Sequence, residues 1–250
     1  MLNFMIVIAV IGQFIAYDLL LHVAMIFRPG RIEAVMDWLQ RKAVHKIFST
    51  FACYRHWGPT LENRTGVELP ERFILVANHQ SIFDIPIVWK LLPQRCKIRF
   101  IAKRELGFGV PLVSSCLHIQ GHALIKRKGA VVQAMKSLER FGRRSRSQGF
   151  SPVLFPEGTR SRTGELGVFH TAGFRKLVDL DPLPVLVAAI DGGFRVAKLG
   201  DLFKNLGRYP YTVSLEALLP APAGKKQILA TLEEARSIID AALKDLRLRS

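Results

Sequence analysis

The sequence predicts an α/β fold: a single mixed, mostly parallel sheet flanked by helices, with an apolar helical element at the amino terminus. Short runs rich in β-branched and aromatic residues, each bounded by turn-forming residues, are typical of buried strands. Between these runs lie segments with apolar residues at helical spacing, as expected when helices connect the strands of a parallel sheet. A length of 250 residues fits one such domain with added helices.

The amino-terminal segment predicts a membrane-associated helix. Met1 to Tyr17 carry no charged side chain, and the apolar run resumes from Leu19 to Phe27 after Asp18. This length approaches the roughly 20 residues with which a helix crosses a bilayer. A cleaved signal peptide is disfavoured, because no basic residue precedes the apolar run. The basic residues that begin at Arg28 would keep the following flank on the cytoplasmic face.

A second helix is predicted from Ile32 to Phe51, where basic residues separate the apolar positions. A hairpin in the membrane interface and a true membrane span are both compatible with this pattern. Asp18 and His22 stand at i,i+4 spacing and could hydrogen-bond to each other, and such polar groups commonly mark a shallow or protein-facing helix. We therefore expect membrane-associated helices over residues 1–57 and the α/β domain over residues 58–250.

The remaining elements are predicted from periodicity. Six strands are expected, at Phe73 to Ala77, Ile98 to Ala102, Ala123 to Lys126, Val153 to Phe155, Leu186 to Ile190 and Tyr211 to Leu215. A helix from about Ala130 to Arg143 carries an apolar stripe of Val131, Ala134, Met135, Leu138 and Phe141. A final helix from Lys225 to Leu248 is expected to bury Leu229, Leu232, Ile239, Leu243 and Leu246.

A histidine and a carboxylate follow the first predicted strand, in the segment Asn78-His79-Gln80-Ser81-Ile82-Phe83-Asp84. On one helix His79 and Asp84 would stand about 140° apart and could not share a face. Pro86 is tolerated only in a first turn, which places Asp84 at the start of a helix and His79 on the loop before it. The carboxylate can then fix the imidazole tautomer, so that His79 acts as a general base.

A second polar cluster, Phe155-Pro156-Glu157-Gly158-Thr159-Arg160-Ser161, follows another predicted strand. Chemistry in such folds collects beyond strand ends, so we expect the two clusters to meet. A base with its carboxylate, together with an acid and a cation, indicates acyl transfer to a phosphorylated alcohol. No Gly-x-Ser-x-Gly nucleophile is present, which favours direct transfer over a covalent acyl-enzyme. Simpler interpretations are that Asp84 only caps a helix and that the second cluster is a plain turn.

The formal net charge of +16 predicts attraction to an anionic lipid surface, an acidic carrier protein or nucleic acid. No nucleic-acid-binding module is present, and aromatic residues are not interleaved with the basic ones, so we expect no nucleic-acid partner. The three cysteines form an odd set without metal-ligand spacing, which favours a reduced cytosolic setting. We likewise expect no metal and no other cofactor.

The two clusters together resemble the glycerolipid acyltransferase family, and in particular bacterial 1-acylglycerol-3-phosphate acyltransferases. The resemblance runs from about Phe73 to Ile190. Three further segments are similar to motifs of this family: Ala102 to Leu106 with Pro111, Gly121 to Arg127, and Leu183-Pro184-Val185. The sequence departs from the family at Lys126, where an acidic residue is frequent, and at Ser114, where glycine is frequent. Both departures could alter the choice of acceptor.

The resemblance implies roles for individual residues. His79 would be the base and Asp84 its partner, while the substrate-binding residues would be Glu157, Gly158, Thr159, Arg160, Arg127 and Lys103. Glu157 and Gly158 would hold the glycerol portion, and the basic residues would hold the phosphate, which suits the bidentate guanidinium fork and the lysine point charge. The implied reaction moves an acyl group from acyl-CoA or acyl-carrier protein to a lysophospholipid.

Three alternatives remain open at the level of sequence. The acceptor could be glycerol 3-phosphate, a lyso-ornithine lipid or another lysolipid rather than 1-acylglycerol 3-phosphate. A hydrolase or phospholipid-remodelling enzyme would use the same base on a different acceptor. A non-catalytic basic protein that rests on membranes would explain the charge and the apolar helix, but would leave the His79 and Glu157 clusters without a role.

Overall fold

The computed structural model describes residues 2–126, 131–197 and 199–249. Its helices are α1 (Leu2–Phe27), α2 (Ile32–Arg55), α3 (Asp84–Leu91), α4 (Val113–Ile119), α5 (Val131–Gln148), α6 (Thr171–Leu180), α7 (Leu199–Asn205) and α8 (Gly224–Leu248). Its strands are β1 (Thr60–Asn63), β2 (Ile74–Ala77), β3 (Ile98–Lys103), β4 (Ala123–Ile125), β5 (Ser151–Leu154), β6 (Val185–Asp191) and β7 (Thr212–Leu219).

The seven strands form one sheet in the order β1-β7-β6-β2-β5-β3-β4. Every neighbouring pair is parallel except β6 and β7, which are antiparallel and carry a register shift between Val187 and Ala188. This confirms the mixed, mostly parallel sheet that the sequence predicts. Because β2 and β5 are parallel neighbours, their carboxyl ends bring the loops after Ala77 and Leu154 to the same edge.

Both faces of the sheet are covered, as the fully apolar central strands require. In β2, Leu75 and Ala77 point into one core with α2 and α3, whereas Ile74 and Val76 point into a second core with α6 and α8. All four residues of β2 are completely buried. The loop that follows β2 therefore leaves a rigid, central strand, which gives the side chains on that loop a fixed origin.

The six predicted strands are present, with ends that differ by a few residues. β1 is the strand that the pattern did not predict. It is a short edge strand paired in parallel with β7, and Leu61 is its only large apolar residue. Such a strand is held by backbone pairing to its neighbour, so hydrophobic periodicity gives no signal for it. Helices α4, α6 and α7 were also absent from the sequence prediction, and they are only 7, 10 and 7 residues long.

Two residues expected in buried stripes are exposed instead. Val131 is 76% exposed because it begins α5, about two turns before the first buried residue of this helix, Leu138. Leu229 is 43% exposed because the buried stripe of α8 runs through its neighbour Ile228 and continues at Leu232, which turns residue 229 away from the sheet. The predicted start of α5 at Ala130 lies outside the described residues.

Helix α1 packs along α2 while its outer face stays exposed. Ile6, Val10 and Phe14 pack against the main core, whereas residues such as Ile8 and Ile15 are more than half exposed. From Phe4 to Phe27 the helix is long and apolar enough to cross a membrane, with a mean hydropathy of 2.2. Its apolar surface is therefore divided between a protein-facing side and an open side.

Asp18 fastens α1 to the α/β domain. Its Oδ1 accepts hydrogen bonds from the backbone N–H of Leu112, at 2.7 Å, and from Ser115 Oγ, at 3.4 Å. His22 Nδ1 lies 2.8 Å from the Asp18 carbonyl oxygen and 3.6 Å from Asp18 Oδ2. Asp18 thus faces protein, one of the two arrangements that the sequence left open, and it links the apolar helix to the amino end of α4.

Candidate active site

His79 and Asp84 meet at the carboxyl end of β2. His79 Nδ1 lies 2.6 Å from Asp84 Oδ2, and both side chains are buried. Asp84 is the first residue of α3 and His79 lies on the preceding loop, as the position of Pro86 predicted. The contact that the spacing anticipated is therefore present, and it directs the other ring nitrogen of His79, Nε2, away from Asp84.

The remaining partners of Asp84 bear on whether it is only a helix cap. Oδ2 also accepts hydrogen bonds from the backbone N–H groups of Gln80, at 2.7 Å, and Ser81, at 2.9 Å. These donors belong to the loop that carries His79 and not to the first turn of α3. Asp84 consequently holds its own loop in place and orients the imidazole with the same oxygen.

The imidazole of His79 is fixed on its other side by an aromatic ring. It stacks on Phe155 with 4.3 Å between ring centroids and 14° between planes. Phe155 follows β5, so the stack joins the two polar clusters directly. Between Asp84 at its edge and Phe155 on its face, the ring of His79 has little freedom to rotate. Among the described residues no hydrogen-bond partner occupies Nε2, which leaves this nitrogen for a substrate proton.

Glu157 braces the same loop. Its Oε1 accepts from the backbone N–H of His79 at 2.8 Å, and its Oε2 accepts from that of Gly167 at 2.9 Å. The backbone N–H of Ser161 also donates to the carbonyl of His79, at 2.8 Å. Burial raises the pKa of Glu157, opposed by the hydrogen bonds from His79 and Gly167. The side chain proposed to hold glycerol thus already has backbone partners on both oxygens.

Several buried polar residues around this loop were missed by the sequence analysis. Asn78 pairs with Ile190, donating from Nδ2 to its carbonyl at 2.8 Å and accepting at Oδ1 from its N–H at 2.7 Å. Gln80 Nε2 donates to Asp191 Oδ1 over 3.4 Å, and Gln80 Oε1 accepts from the N–H of Phe194 at 3.3 Å. Asp191 ends β6, so the strand-end rule that found His79 could have found it as well.

Arg247, near the end of α8, holds the loop that follows Glu157. Its guanidinium donates to the carbonyl of Gly164, contacts Glu165 Oε1 at 3.2 Å and contacts Asp191 Oδ1 at 3.3 Å. It also lies over the ring of Phe194, 5.8 Å from the centroid. The carboxyl-terminal helix therefore fixes the outer part of the site, a contact that no local pattern indicated.

The second oxygen of Asp84 is bound by a distant residue. The hydroxyl of Tyr211 donates to Asp84 Oδ1, and Tyr211 is only 1% exposed. Burial, followed by the charge of Asp84, raises the pKa of Tyr211 well above its usual value. The phenol therefore stays protonated and remains a donor. Tyr211 was predicted only as the start of a strand.

The other predicted substrate-binding residues that fall within the described ranges lie at the open rim of the site. Gly158, Thr159 and Arg160 are exposed, and within the described residues the Arg160 guanidinium has neither a hydrogen-bond nor an ion-pair partner. Lys103 ends β3, is exposed, and has its Nζ 3.7 Å from Glu105 Oε2. Arg127 lies outside the described residues. The rim therefore presents cations beside a buried base.

This arrangement can abstract a proton from a neutral hydroxyl. The anion of Asp84 stabilises the imidazolium that forms, while exposed cations nearby can receive an anionic part of the substrate. In residues 2–126, 131–197 and 199–249 no group of three or more His, Cys, Asp and Glu side chains could hold a metal ion.

Comparison with known proteins places the same region in a known family. Residues 59–191 match the family model described as Acyltransferase, which covers more than half of the chain. This segment contains both polar clusters and strands β1 to β6.

Curated relatives extend beyond this segment. The chain is 29% identical over 180 residues to human 1-acyl-sn-glycerol-3-phosphate acyltransferase beta, an alignment that covers 62% of the chain and 63% of the human protein. It is 25% identical over 224 residues to the putative 1-acyl-sn-glycerol-3-phosphate acyltransferase acl-2 of Caenorhabditis elegans, with 88% and 77% covered. The chain thus spans less than two thirds of the human relative and more than two thirds of the nematode one.

A solved structure shares the architecture. The crystal structure of the 1-acyl-sn-glycerophosphate (LPA) acyltransferase PlsC from Thermotoga maritima superimposes with a TM-score of 0.59 and 20% identity. The match covers 94% of this chain and 95% of that one, so it includes the amino-terminal helices. At this identity the likeness concerns the fold.

Proposed function

The chain belongs to the Acyltransferase family, and we propose that it transfers a fatty acyl group from an acyl thioester to the sn-2 hydroxyl of 1-acylglycerol 3-phosphate. The product would be phosphatidic acid, a step of phospholipid biosynthesis. The observation that carries the proposal is the buried contact between His79 Nδ1 and Asp84 Oδ2, at 2.6 Å, beside a rim of exposed cations. A base of this kind suits a hydroxyl acceptor, and the cations suit its phosphate.

In the proposed mechanism His79 Nε2 removes the proton of the acceptor hydroxyl while that oxygen attacks the thioester carbonyl. The carbon–sulfur bond of the tetrahedral intermediate then breaks, and the imidazolium returns its proton to the leaving thiolate. Asp84 keeps the proton on Nδ1 before the step and stabilises the imidazolium during it. The scheme needs neither a covalent acyl-enzyme nor a cofactor.

The phosphate of the acceptor would be held by Arg160, Arg127 and Lys103, and its glycerol portion by the loop from Glu157 to Thr159. Arg160 is exposed and has no ion-pair partner among the described residues, which supports this assignment because a phosphate would supply the missing counter-charge. The relatives named for 1-acyl-sn-glycerol-3-phosphate support the choice of acceptor. Either acyl-CoA or acyl-carrier protein would serve as the donor, since both are anionic and the chain carries a net charge of +16.

We also propose that the protein sits on the cytoplasmic face of a membrane, held by helices within residues 1–57. The open apolar face of α1 supports this attachment, and the basic residues after Phe27 support the orientation. The packing of α1 along α2 favours a helix lying in the interface over one that stands alone across the bilayer. Residues 58–250 would then carry the chemistry.

The test is acylation of lysophosphatidate by the reconstituted protein with acyl-CoA and acyl-carrier-protein donors, run beside His79→Ala. His45→Ala is the matched control, because His45 is exposed on α2 and its side chain makes no hydrogen bond or ion pair among the described residues. We expect phosphatidate from the wild type and from His45→Ala, with a loss of at least about 1,000-fold for His79→Ala, since the base is removed altogether. Release of free fatty acid without acyl transfer would instead support a hydrolase. A wild type that binds anionic vesicles but acylates no lysolipid would refute the proposal.

A further inference from the structure

Asp84 is fully paired in the described structure, and one of its four donors lies 127 residues away in sequence. Oδ2 receives His79 Nδ1 and the backbone N–H groups of Gln80 and Ser81. Oδ1 receives the hydroxyl of Tyr211. Since the carboxylate is completely buried, a lost donor on Oδ1 could not be replaced by bulk water without opening the core.

The backbone around Tyr211 is shaped to admit this contact. A Cβ atom on Gly193 would lie 2.8 Å from Tyr211 Oη and 3.0 Å from Asp84 Oδ1, closer than such atoms approach. The preceding Gly192 has a φ of +88°, and a Cβ there would lie 2.1 Å from the carbonyl oxygen of Pro210. Two glycines at the end of β6 therefore let this chain segment close directly over the bond between phenol and carboxylate.

Tyr211 is itself held by residues from the amino-terminal part of the chain. Its carbonyl accepts from the N–H of Thr60 at 2.9 Å, which joins it to β1. Its ring meets Trp57 edge-on, with centroids 5.9 Å apart, and Trp57 in turn stacks on Phe48 of α2 at 5.8 Å. An unbroken series of aromatic contacts thus runs from the amino-terminal hairpin to the hydroxyl that touches Asp84.

We propose that Tyr211 is a positioning residue for the acyl transfer proposed above, on which this inference rests. Its hydroxyl fixes the plane of the Asp84 carboxylate so that Oδ2 faces His79, and it takes part of the negative charge that Oδ1 would otherwise carry. Tyr211 does not touch the reacting atoms. It acts through Asp84, and it sets the pH range in which His79 is available as a base.

The charged groups around His79 and Asp84 determine in which direction the pH dependence of activity should move when the Tyr211 hydroxyl is removed. Asp191 and Glu157 add negative charge near His79 and Tyr211, and Arg247 offsets that of Asp191 at 3.3 Å. Without the Tyr211 hydroxyl, more of the Asp84 charge acts on His79, which favours the imidazolium. An unpaired Oδ1 also favours protonation of the carboxylate itself. Both effects move the acidic limb of activity toward higher pH.

The test compares Tyr211→Phe with Tyr209→Phe. The first removes the hydroxyl and keeps the ring that packs on Trp57, while the second removes the hydroxyl of a residue that is 42% exposed and lies only two positions away. For Tyr211→Phe we expect kcat to fall roughly 10- to 100-fold, the range for one hydrogen bond to a charged group. KM for both substrates should change less than about twofold. The acidic limb of kcat/KM should move to higher pH. Tyr209→Phe should change none of these three: kcat, KM or the acidic limb of kcat/KM.

A merely structural role for Tyr211 would produce a different pattern. Lower thermal stability with an unchanged pH profile would overturn the proposal, and so would an unchanged kcat. The double variant of Tyr211→Phe with Asp84→Asn sharpens the result: if the tyrosine acts through the carboxylate, its removal should cost little further activity once Asp84 is neutral. Fully additive losses would assign Tyr211 an independent effect and refute the proposal.

Failure of the proposed function would be recognised separately. If the wild type forms no phosphatidate, Tyr211 is tested by ¹³C NMR of the His79 Cε1 in the full-length protein, which follows protonation of the ring without any acceptor. Tyr211→Phe should then change the response of the His79 signal across the pH series, with no change for Tyr209→Phe. Superimposable titration curves would exclude the positioning role whatever the substrate proves to be.

Discussion

The two parts of the candidate site differ in how completely their polar groups are paired. In the dyad cluster, which comprises His79, Asp84 and Tyr211, every carboxylate oxygen has its donors and each side chain is less than 9% exposed. In the cation rim, which comprises Lys103 and Arg160, both side chains are exposed, and Arg160 has no described partner. The first is fastened to β2, α3 and β7; the second is borne by a strand end and a loop.

Under the proposed function, this difference would divide two tasks between the two regions. A base that stabilises charge in a transition state gains most when its partners are already oriented, because no reorganisation is needed at the moment of reaction. Cations that receive a phosphate gain by remaining solvated until the phosphate arrives, since its oxygens then complete their hydrogen bonds. We therefore expect substitutions in the dyad cluster to lower turnover and substitutions in the rim to weaken acceptor binding.

The largest effect in the dyad cluster, after loss of His79 itself, should come from Asp84→Asn. An amide offers only one acceptor oxygen, so its N–H₂ must face a donor, and the His79 tautomer is no longer fixed. We expect kcat to fall on the order of 100-fold or more, with a much smaller change in acceptor KM. Asp179→Asn on the exposed face of α6 serves as the control. Unchanged turnover would reduce Asp84 to a clamp on its own loop.

Arg160→Gln tests the opposite side of the comparison. Loss of the guanidinium fork should raise KM for lysophosphatidate about 10- to 100-fold, while kcat at saturation stays within a few-fold. Arg146→Gln, an exposed charge on α5, removes the same formal charge elsewhere. A phosphate-free 1-acylglycerol should be affected by neither variant. If Arg160→Gln raised KM for that acceptor equally, Arg160 would not bind the phosphate of the acceptor.

Glu157→Gln lies between the two regions, since Glu157 follows β5 and yet binds the backbone of His79. One end of the amide must face an N–H donor, so we expect kcat to fall about 10-fold through displacement of the His79 loop. Burial raises the pKa of Glu157 above its ordinary 4.5. Its contribution to folding is therefore complete below pH 4.5 and is lost as the pH rises through the folded-state pKa.

Denaturant midpoints recorded between pH 4 and 7 measure this contribution. The wild type should lose stability relative to Glu157→Gln across that range. Parallel curves for the two proteins would mean that the pKa of Glu157 is the same in the folded and the unfolded chain. Burying the Glu157 carboxylate beside the His79 backbone would then not destabilise its charged form.

The smallest effect on activity should come from substitution of His122, a buried residue that immediately precedes β4. Its Nδ1 accepts from the N–H of Phe100 at 2.9 Å. Burial, followed by the charge of Arg99, lowers the pKa of His122 from 6.5 to about 3. Below pH 6.5 His122 is therefore protonated in the unfolded chain but stays neutral in the folded one. The free energy of unfolding then falls by at most about 1.4 kcal/mol per pH unit as the pH is lowered.

His122→Asn keeps an acceptor near the N–H of Phe100 and removes the titration. Between pH 7 and 5 its denaturant midpoint should change less than that of the wild type, with turnover at pH 7 unchanged within about twofold. An equally steep loss of stability in both proteins would place the acid-sensitive group elsewhere.

Hydrophobic patterning was sufficient for the central strands and for the His79–Asp84 contact, because each depends on residues close together in sequence. Buried runs such as Ile74–Ala77 have no other stable environment, and Pro86 restricts where the next helix can begin. The short edge strand Thr60–Asn63 carries no such signal, since its neighbour supplies the backbone pairing. Leu229 was misplaced because the buried stripe of α8 runs through its neighbour Ile228 and continues at Leu232, which leaves residue 229 outside it.

The contacts that complete the site could not be predicted in the same way. Tyr211 and Arg247 reach it from β7 and α8, and their positions follow from the antiparallel pairing of β7 and the packing of α8 rather than from local spacing. For Glu157, the motif that contains it predicts contact with substrate, and the fold adds hydrogen bonds from backbone N–H groups to both of its carboxylate oxygens. Residue type indicates the chemistry that is available, and only the fold shows which partner uses it.

The divided surface of α1 bears on the acceptor concentration that determines the reaction rate. Because Asp18 joins this helix to the amino end of α4, the proposed attachment would hold the α/β domain, and with it His79, close to the lipid surface. Acceptor and product would then diffuse in the plane of the membrane. Turnover would follow the mole fraction of lysophosphatidate in that surface, so that diluting it with inert lipid slows the reaction while its concentration in the bulk volume stays the same.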